Sequence, residues 1–451
     1  MDKHFKYRFL IVSGLFFIPV LFLACKAEWQ YDEAWTYLDV LRSSYKDIAL
    51  YKEFKLANNH VFNSLYFHWL QGLGARAEMV YRSMSLLSYV AYCWFIYKLL
   101  SLQRFRGGNI SYIVLYLLPY MGFFALGRGY APAMACLTAS LYCYKLFEQD
   151  KRTGALLCMV LSGCLASLSL FSFAFPFMAM LLVLCLSNLN YVFKPLNIVT
   201  LFIALPAIAY VFYMGRLVNT HDQYIIGGNA FIRNGALSSL VSYLSLSDMV
   251  PAGIFLVLKI ALCASMLPAI AILIKRRVLY TEHIIALVAL LLMVISHLLL
   301  GSKYPMFRGL MYIVLLMYLP LIYSSVKRNV FIAAHLLVVS LIGAVNIGLL
   351  INKSLRHTTY DALSYMSRLH KPLYIDNVNP NAQVYDYLYF ADSIRIVQYE
   401  MEEPEVSKSF FKALDTAKYV IALPEEIGYK KATRLFSEKY ALPEDNFYIR
   451  K

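Results

Sequence analysis

The 451-residue chain has little charge: 42 Lys and Arg residues and 27 Asp and Glu residues, together 15% of its composition. A soluble protein of this length needs about a quarter of its residues charged to cover its surface. Hydrophobic residues make up 60% of the chain, and its mean hydropathy is +0.57. The sequence therefore predicts an integral membrane protein and excludes a disordered, collagen-like or ordinary cytosolic protein.

Several motifs of soluble proteins are also absent. The eight cysteines form no CxxC pair and lie in or beside apolar runs, which is typical of small buried hydrophobic residues rather than of disulfides or metal ligands. The sequence has no Gly-rich phosphate loop for a nucleotide. From Lys353 onward there are 14 basic and 14 acidic residues, so the net charge of +15 comes from the apolar part. Nucleic acid is therefore not an expected partner.

Apolar runs of membrane-spanning length predict eleven helices in residues 1–352. The first follows Lys3, Lys6 and Arg8 and is interpreted as a retained helix, because no small-residue cleavage site follows it. The run 154–187 is too long for one crossing and is divided into a hairpin. The predicted crossings are the run ending at Cys25 and residues 79–100, 110–127, 129–147, 154–170, 171–187, 195–213, 251–274, 281–300, 307–325 and 329–352.

Basic residues indicate the orientation of these helices. They fall on alternate loops, on the same side as the N-terminus, so the positive-inside rule predicts a cytoplasmic N-terminus. An odd number of crossings then predicts that the C-terminal segment lies outside, with the long loops 26–78 and 214–250. The basic residues concerned are Arg104, Arg106, Lys151, Arg152, Lys194, Lys275, Arg276, Arg277, Lys327 and Arg328.

Residues 353–451 differ in character from the rest and are predicted to form a small α/β domain outside the membrane. Short apolar segments predict strands, and amphipathic segments between them predict helices near 381–391, 405–416 and 428–440. The predicted strands begin at Leu373, Ile394, Tyr419 and Phe447. The fold class expected for the whole chain is thus a polytopic α-helical membrane domain, residues 1–352, followed by this domain.

The first outer loop carries the candidate catalytic residues, because it holds seven of the 13 acidic residues that precede Lys353. Asp39, Asp47 and Glu53 are interpreted as ordinary solvated charges. Asp32 and Glu33 lie among aromatic residues close to the membrane exit, where such residues form an interface belt, partly desolvate a carboxylate or stack on a sugar. This pair is the candidate general base with a supporting or metal-binding partner.

Candidate binding residues lie in the same loop and in two others. The segment Asn58-Asn-His-Val-Phe-Asn63 offers the amides of Asn58, Asn59 and Asn63 and the ring of His60, for which a packed or solvated histidine is the alternative. Two further outer loops contain Arg128 with Tyr130, and Lys303, Tyr304 and Arg308. These cations bind either lipid headgroups or a phosphate ligand, and glycines beside Arg128 allow close backbone approach.

Lys259 lies about 12 Å inside the eighth predicted helix. Two interpretations stay open for this residue: its side chain extends outward to the membrane surface, or it belongs to an anion site facing the helix bundle.

In their order along the chain these motifs resemble the GT-C fold membrane glycosyltransferases, specifically bacterial relatives of protein O-mannosyltransferases and of the aminoarabinose transferases that act on lipid A. The resemblance covers nearly the whole chain. The residues that carry it are Tyr31-Asp-Glu-Ala34, Asn58-Asn-His60, Asn63-Ser-Leu65, Arg82-Ser-Met-Ser-Leu-Leu87, Arg128-Gly-Tyr130, Tyr304-Pro305, Arg308 and the segment from Leu373 to Tyr387.

This resemblance implies an outward-facing site in the bacterial cytoplasmic (inner) membrane. The donor would be a polyprenyl-phosphate-linked sugar and the acceptor a cell-envelope glycan, lipid or protein. Asp32 would take the acceptor proton beside Glu33, and Arg128 and Arg308 would meet the donor phosphate. No cofactor is required, and a divalent metal stays open. The family often has His-Pro in the first loop, whereas this chain has His60-Val61.

Two other functions are weighed against this one. A transporter or flippase for a lipid-linked glycan should show paired repeats and interrupted helices near the bilayer midplane. A non-catalytic assembly partner should tolerate a change of Asp32 without loss of sugar transfer. The sequence shows no such paired segments, and its acidic residues cluster outside the predicted crossings, so the glycosyltransferase is the expected function.

Overall fold

The structure is a computed structural model. It describes residues 3–52, 59–103, 111–192, 194–221, 227–233, 235–244, 251–275, 280–323 and 330–354, and in the C-terminal part residues 373–376, 384, 396–399, 419–421, 440–444 and 447–450. The protein is a helical membrane protein. Among the described residues, six helical segments are long and apolar enough to cross a membrane: Lys3–Lys26, Glu78–Leu102, Pro195–Val218, Ala252–Lys275, Thr281–Leu300 and Val330–Leu349.

The described residues form sixteen α-helices and four 3-10 segments. The helices are α1 (Lys3–Lys26), α2 (Tyr31–Arg42), α3 (Tyr45–Leu50), α4 (Val61–Gly72), α5 (Glu78–Leu102), α6 (Tyr130–Asp150), α7 (Thr153–Ser169), α8 (Ala174–Ser187), α9 (Leu189–Val192), α10 (Pro195–Phe202), α11 (Ala204–His221), α12 (Ala236–Leu244), α13 (Ala252–Lys275), α14 (Thr281–Leu300), α15 (Met311–Tyr323) and α16 (Val330–Ser354). The 3-10 segments are Ser111–Tyr116, Pro119–Ala125, Phe171–Phe173 and Phe307–Leu310.

Every predicted crossing except 110–127 contains an α-helix, with 3-10 segments at the start of 171–187 and of 307–325, and the hairpin break assigned within 154–187 falls between α7 and α8. The prediction of one regular helix over 110–127 is wrong, because Ser111–Tyr116 and Pro119–Ala125 are separate 3-10 segments. The break has a local cause. Leu118 has extended backbone angles, φ −73° and ψ 147°, and the residue before a proline is biased against the helical region.

The interrupted segment nevertheless runs alongside two long helices. Along α1, the Tyr112 ring lies 5.9 Å from that of Phe5, and the Tyr116 hydroxyl lies 2.6 Å from that of Ser13. Along α5, the Tyr120 hydroxyl lies 2.7 Å from that of Tyr92, and the Leu126 carbonyl accepts a hydrogen bond from Ser85. The segment is therefore parallel to α1 and antiparallel to α5, and it ends beside the loop that carries Arg128.

The chain divides into two compact units. One contains residues 1–25 and 43–351, and the other contains residues 26–42 and 352–451. The sequence predicts one boundary, between residues 352 and 353, and places the whole first loop in the membrane domain, whereas the segment Lys26–Arg42 belongs to the second unit.

The described strands are β1 (Gly227–Gly228) and β2 (Tyr304–Pro305) in the first unit, and β3 (Leu373–Asp376), β4 (Ile396–Tyr399), β5 (Tyr419–Ile421), β6 (Tyr440–Glu444) and β7 (Phe447–Arg450) in the second. The five strands of the second unit form a sheet of order β4-β3-β5-β7-β6. Strands β3 (Leu373–Asp376), β4 (Ile396–Tyr399), β5 (Tyr419–Ile421) and β7 (Phe447–Arg450) fall where the sequence predicts them. β3 is parallel to β4 and β5, whereas β7 is antiparallel to β5 and β6. The predicted helices near 381–391 and 405–416, and most of 428–440, lie outside the described residues.

Strand β6 (Tyr440–Glu444) was not predicted. It contains Pro443, which lacks a backbone N–H and usually argues against a strand. β6 is the edge strand of the sheet, the position at which a proline is tolerated because one side of the strand needs no ladder hydrogen bond.

Candidate functional site

The loop before α6 is held in place by the two helices that precede it. The Asn63 amide, buried in the first turn of α4, donates to the Gly127 carbonyl at 2.9 Å. Ser85 on α5 donates to the neighbouring Leu126 carbonyl. Two hydrogen bonds from separate helices thus fix the backbone on which Arg128 stands. Asn63, singled out in the sequence for its amide, has a positioning contact here.

Gly129 allows the closest backbone approach in this loop. A Cβ atom at Gly129 would lie 2.2 Å from the Ser169 carbonyl oxygen and 2.6 Å from the Cβ of His60. Both distances are far below van der Waals contact, so any other residue would force the loop away from His60. The sequence-based expectation concerned close approach of this backbone to a phosphate; the close approach seen at Gly129 is to the Ser169 backbone and the His60 side chain.

The cations predicted from two separate loops lie together on one aromatic ring. The Arg128 guanidinium carbon is 4.9 Å from the centroid of Tyr130, and that of Arg308 is 5.6 Å from the same centroid. Both distances are in the range of cation–π contacts. Tyr130, the first residue of α6, therefore contacts one cation from the loop before α6 and one from the 3-10 segment Phe307–Leu310.

His60 completes this cluster. Its ring lies edge-on to Tyr130 with centroids 5.0 Å apart, and its Nε2 is 3.5 Å from Nη2 of Arg128. His60 is 5% exposed and Arg128 4% exposed. Burial, followed by the charges of Arg128 and Arg308, holds the pKa of His60 well below its usual value. The histidine is neutral at pH 7 and lies within a positively charged environment.

Arg308 is positioned by contacts of its own segment. Phe307 has a left-handed backbone conformation, φ 44°, which is strained for a bulky residue. Its N–H donates to Ser239 of α12 at 3.0 Å. The preceding residues form a short antiparallel pairing of β2 (Tyr304–Pro305) with β1 (Gly227–Gly228). Gly227–Gly228 and Ser239 therefore support the segment that carries Arg308.

Tyr304 and Lys303 have different surroundings from the arginines. Tyr304 is buried and stacks on His297 with ring centroids 4.4 Å apart, and Phe231 packs against it at 5.3 Å. These contacts make it a packing residue at the base of the Arg308 loop. Lys303 immediately precedes β2 and is half-buried.

Tyr243 is a neighbour of the cluster that the sequence analysis did not identify. It lies on α12, and its pKa is raised by burial and by Tyr120 and Tyr130, with an opposing effect of Arg308. Its hydroxyl is buried and has no hydrogen-bond partner among the described residues. A buried hydroxyl without a partner is costly, and a ligand oxygen near Arg308 would satisfy it. Because the chain has 37 tyrosines, its sequence gave no reason to single out Tyr243 as a site residue.

Asn59 was predicted to bind substrate, and its described contacts are structural. Its amide donates to the Ile48 carbonyl at 3.0 Å, and its own carbonyl accepts from the Tyr51 hydroxyl. These bonds attach the residue before His60 to the end of α3. Asn58 lies outside the described residues.

The candidate carboxylates belong to the second unit, at the start of α2. Glu33 is buried, and its Oε2 accepts the N–H of Gln30 at 2.9 Å. This is the reciprocal half of a capping box, in which the third helical residue satisfies the N-cap N–H. Asp32 is half-buried in the first turn of α2, where the helix dipole favours a negative charge. The two carboxylates thus differ in environment: Glu33 caps its helix and Asp32 is more accessible.

Lys259 has a contact on its own helix. Its Nζ lies 5.6 Å from the ring of Phe255, one turn nearer the start of α13. The side chain is thus directed along the helix toward its N-terminal end, as helical side chains generally are.

Two observations concern cofactors and relatives. Within the described ranges, no group of three or more His, Cys, Asp or Glu side chains is arranged to hold a metal ion. In comparisons with known proteins, no family model and no curated protein matches the chain.

Proposed function

We propose that this protein is an integral membrane glycosyltransferase of GT-C-like organisation, with about eleven crossings and a small α/β domain outside the membrane. It moves a sugar from a polyprenyl-phosphate-linked donor to a cell-envelope acceptor on the outer face of the bacterial cytoplasmic membrane. The observation that carries the proposal is the cluster of Arg128, Arg308, Tyr130 and His60, because two guanidinium groups beside one ring are suited to a phosphate.

The chemistry of such a donor requires this kind of site. As the bond between the sugar and the phosphate breaks, the phosphate gains a second negative charge. Guanidinium groups stabilise that charge most strongly where water is excluded, and Arg128 is 4% exposed. Arginine donates two parallel hydrogen bonds to phosphate oxygens, which also orients the leaving group.

The acceptor hydroxyl needs a base, and we assign that role to Asp32. Glu33 already accepts a backbone N–H through Oε2, so its supporting role is to hold the start of α2. Asp32, on the same turn and half-buried, is the carboxylate better suited to meet a substrate. An inverting displacement needs a single base, because phosphate leaves without full protonation.

The test of the proposed function is transfer by purified Asp32→Asn at saturating polyprenyl-phosphate sugar. Asparagine keeps the shape of the side chain but cannot accept a proton, so the transfer rate should fall by about a hundredfold or more, while donor binding changes little. Asp47→Asn is the matched control, since Asp47 is a carboxylate of similar burial whose contact is with Ser44 at the start of α3. Equal rates in Asp32→Asn and wild type would refute the assignment.

A transporter of lipid-linked glycans is the second candidate, and the interrupted segment Ser111–Ala125 favours it, because transporters use broken helices to form binding sites within the bilayer. The two functions differ in what they need. A transferase releases polyprenyl phosphate in detergent solution, where no second compartment exists. A transporter moves its substrate only across sealed vesicles and leaves the substrate chemically unchanged.

A further inference from the structure

The contact between His60 and Arg128 determines which nitrogen of the histidine carries the proton. Arg128 can only donate hydrogen bonds, since its guanidinium has no acceptor. Its Nη2 lies 3.5 Å from Nε2 of His60, so we assign the lone pair to Nε2, where it faces this donor, and the ring proton to Nδ1. The ring is thus neutral, with its basic nitrogen directed at the cation cluster.

Several groups around His60 affect its charge. Arg128, from the loop before α6, and Arg308, from the 3-10 segment Phe307–Leu310, both act on its charge. The Tyr130 ring on α6 lies edge-on to it, and the Gly129 backbone packs against its side chain. Tyr243 of α12 is coupled in turn to Tyr130 and Arg308. Two positive charges and a low-dielectric environment oppose a third positive charge on His60.

We propose that His60 is a proton-coupled ligand of the phosphate: when a phosphate-type anion binds at Arg128 and Arg308, His60 takes one proton from solvent at Nε2 and donates a hydrogen bond to the anion. The inference rests on the proposed function for the identity of the ligand. The physical reason is local charge. A bound dianion offsets both guanidinium charges, which removes the repulsion that keeps His60 neutral.

The consequence for the reaction follows from the charge of each ligand. The donor is a phosphodiester with one negative charge, and the product polyprenyl phosphate is a monoester with up to two. As the sugar–oxygen bond breaks, its electron pair goes to the phosphate oxygen. A protonated His60 then donates a hydrogen bond to the more negative phosphate, so it stabilises the transition state more than the bound donor. His60 is thereby a positioning and charge-matching ligand of the leaving group.

The sign of the pH dependence follows from the same cycle. Without anion the pKa of His60 is well below its usual value, and with a dianion it is higher. Affinity for the dianion is therefore greatest at low pH. Between the two pKa values the affinity falls by about tenfold per pH unit as the pH rises, because one proton is bound with each anion. Above the pKa of the complex it no longer changes.

The experiment uses sulfate as the probe and the full-length protein in detergent. Sulfate stays a dianion from pH 5 to 8, so any proton taken up when sulfate binds is bound by the protein and not by sulfate. Calorimetry in two buffers of different ionisation enthalpy gives the number of protons bound per sulfate. We expect a value approaching one for wild type and close to zero for His60→Gln, which keeps a polar group near the Nε2 position.

His68→Gln is the matched control, because His68 lies on α4 beside Tyr45, two turns beyond the cluster. It should keep the proton uptake of wild type. Uptake that persists in His60→Gln, sulfate binding without uptake in wild type, or no sulfate binding would each overturn the inference. If His60→Gln does not fold, ring ¹⁵N signals of histidine-labelled wild type decide: sulfate must move one histidine to its protonated position.

These outcomes are separate from failure of the proposed function. Sulfate binding involves no sugar transfer, so a negative result here leaves the Asp32→Asn assay to be judged on its own. Conversely, proton uptake with sulfate in a protein that never transfers sugar would support the anion site and refute the glycosyltransferase function.

Discussion

Substitution of Gly129 by alanine tests whether the geometry of the cation cluster depends on close backbone contact. The new Cβ would lie 2.2 Å from the Ser169 carbonyl oxygen and 2.6 Å from the Cβ of His60. Ordinary contact needs about 3.5 Å, so these groups must separate by about 1 Å. Overpacking of this kind costs about 1–3 kcal/mol. A misplacement of about 1 Å at a reacting site reduces the rate by as much as about a hundredfold.

Two other glycines separate the loss of stability from the loss of function. Gly163 on α7 is as tightly packed, since its Cβ would lie 2.1 Å from the ring of Phe177, but it belongs to the α7–α8 contact rather than to the cluster. Gly163→Ala should therefore destabilise the protein and leave the activity per folded molecule unchanged. Gly215 on α11 has nothing within 4 Å of the Cβ position, and alanine there should stabilise by up to about 1 kcal/mol.

The assay measures thermal unfolding and sugar transfer on the same purified samples. Gly129→Ala should lose stability and also lose transfer rate in the fraction that stays folded. The reasoning is refuted if Gly129→Ala and Gly163→Ala show the same activity per folded molecule, because the contact with His60 would then have no functional role.

Two further predictions concern the ligand contacts. Arg128→Ala and Arg308→Ala should each weaken donor binding by about 1.5–3 kcal/mol, roughly tenfold to over a hundredfold, and lysine at either position should restore part of the loss. Donor titrations measure this effect, with Arg152→Ala as the exposed control. Tyr243→Phe should leave the melting temperature unchanged or higher, because its hydroxyl has no partner among the described residues, and should raise the donor KM by about threefold to tenfold; an unchanged KM would remove Tyr243 from the site.

Hydropathy predicted the long apolar helices, because the length of an apolar run reports directly on burial in lipid, but it did not predict α2, α3, α4 and α12, which lie in the two long loops. It could not predict the break in 110–127, because a 3-10 segment is as apolar as an α-helix. The signal was local: Pro119 restricts Leu118 to extended angles, and Gly122 adds a poor helix former. Packing then stabilises the break, since Gly343 on α16 lets that helix approach the Leu117 carbonyl where any Cβ would collide.

The order of motifs along the chain indicated which residues belong to the cluster better than it indicated what each residue does. Arg128, Tyr130, Arg308 and His60 lie together, although about 250 residues separate the most distant pair in sequence. Glu33 caps its helix because it accepts one hydrogen bond from the Gln30 N–H. The sequence motif contains both Asp32 and Glu33 and does not indicate which of them caps the helix. Side-chain roles of this kind are set by local geometry and not by residue type.

The buried ion pair of Lys145 and Glu282 was also beyond sequence reasoning, because its partners lie on α6 and α14. Lys145 Nζ is 3.4 Å from Oε1 of Glu282 and 3.4 Å from Oε2 of Glu148. The Glu282 side chain is fully buried, and that of Glu148 is 28% exposed. One cation therefore serves two carboxylates, so its loss should cost more than the loss of either anion.

This asymmetry gives a prediction for stability. Lys145→Met leaves two carboxylates facing each other, one of them without access to water, and should destabilise the protein by about 3–5 kcal/mol. Glu282→Gln leaves Lys145 paired with Glu148 and should cost distinctly less. Lys145→Met with Glu282→Leu should recover most of the loss, because an apolar replacement of a buried pair is close to neutral. Thermal unfolding ranks the three variants. Tyr130 lies about 22 Å away along α6, so transfer per folded molecule should be unchanged in all of them, and a larger loss in Glu282→Gln than in Lys145→Met would contradict the charge argument.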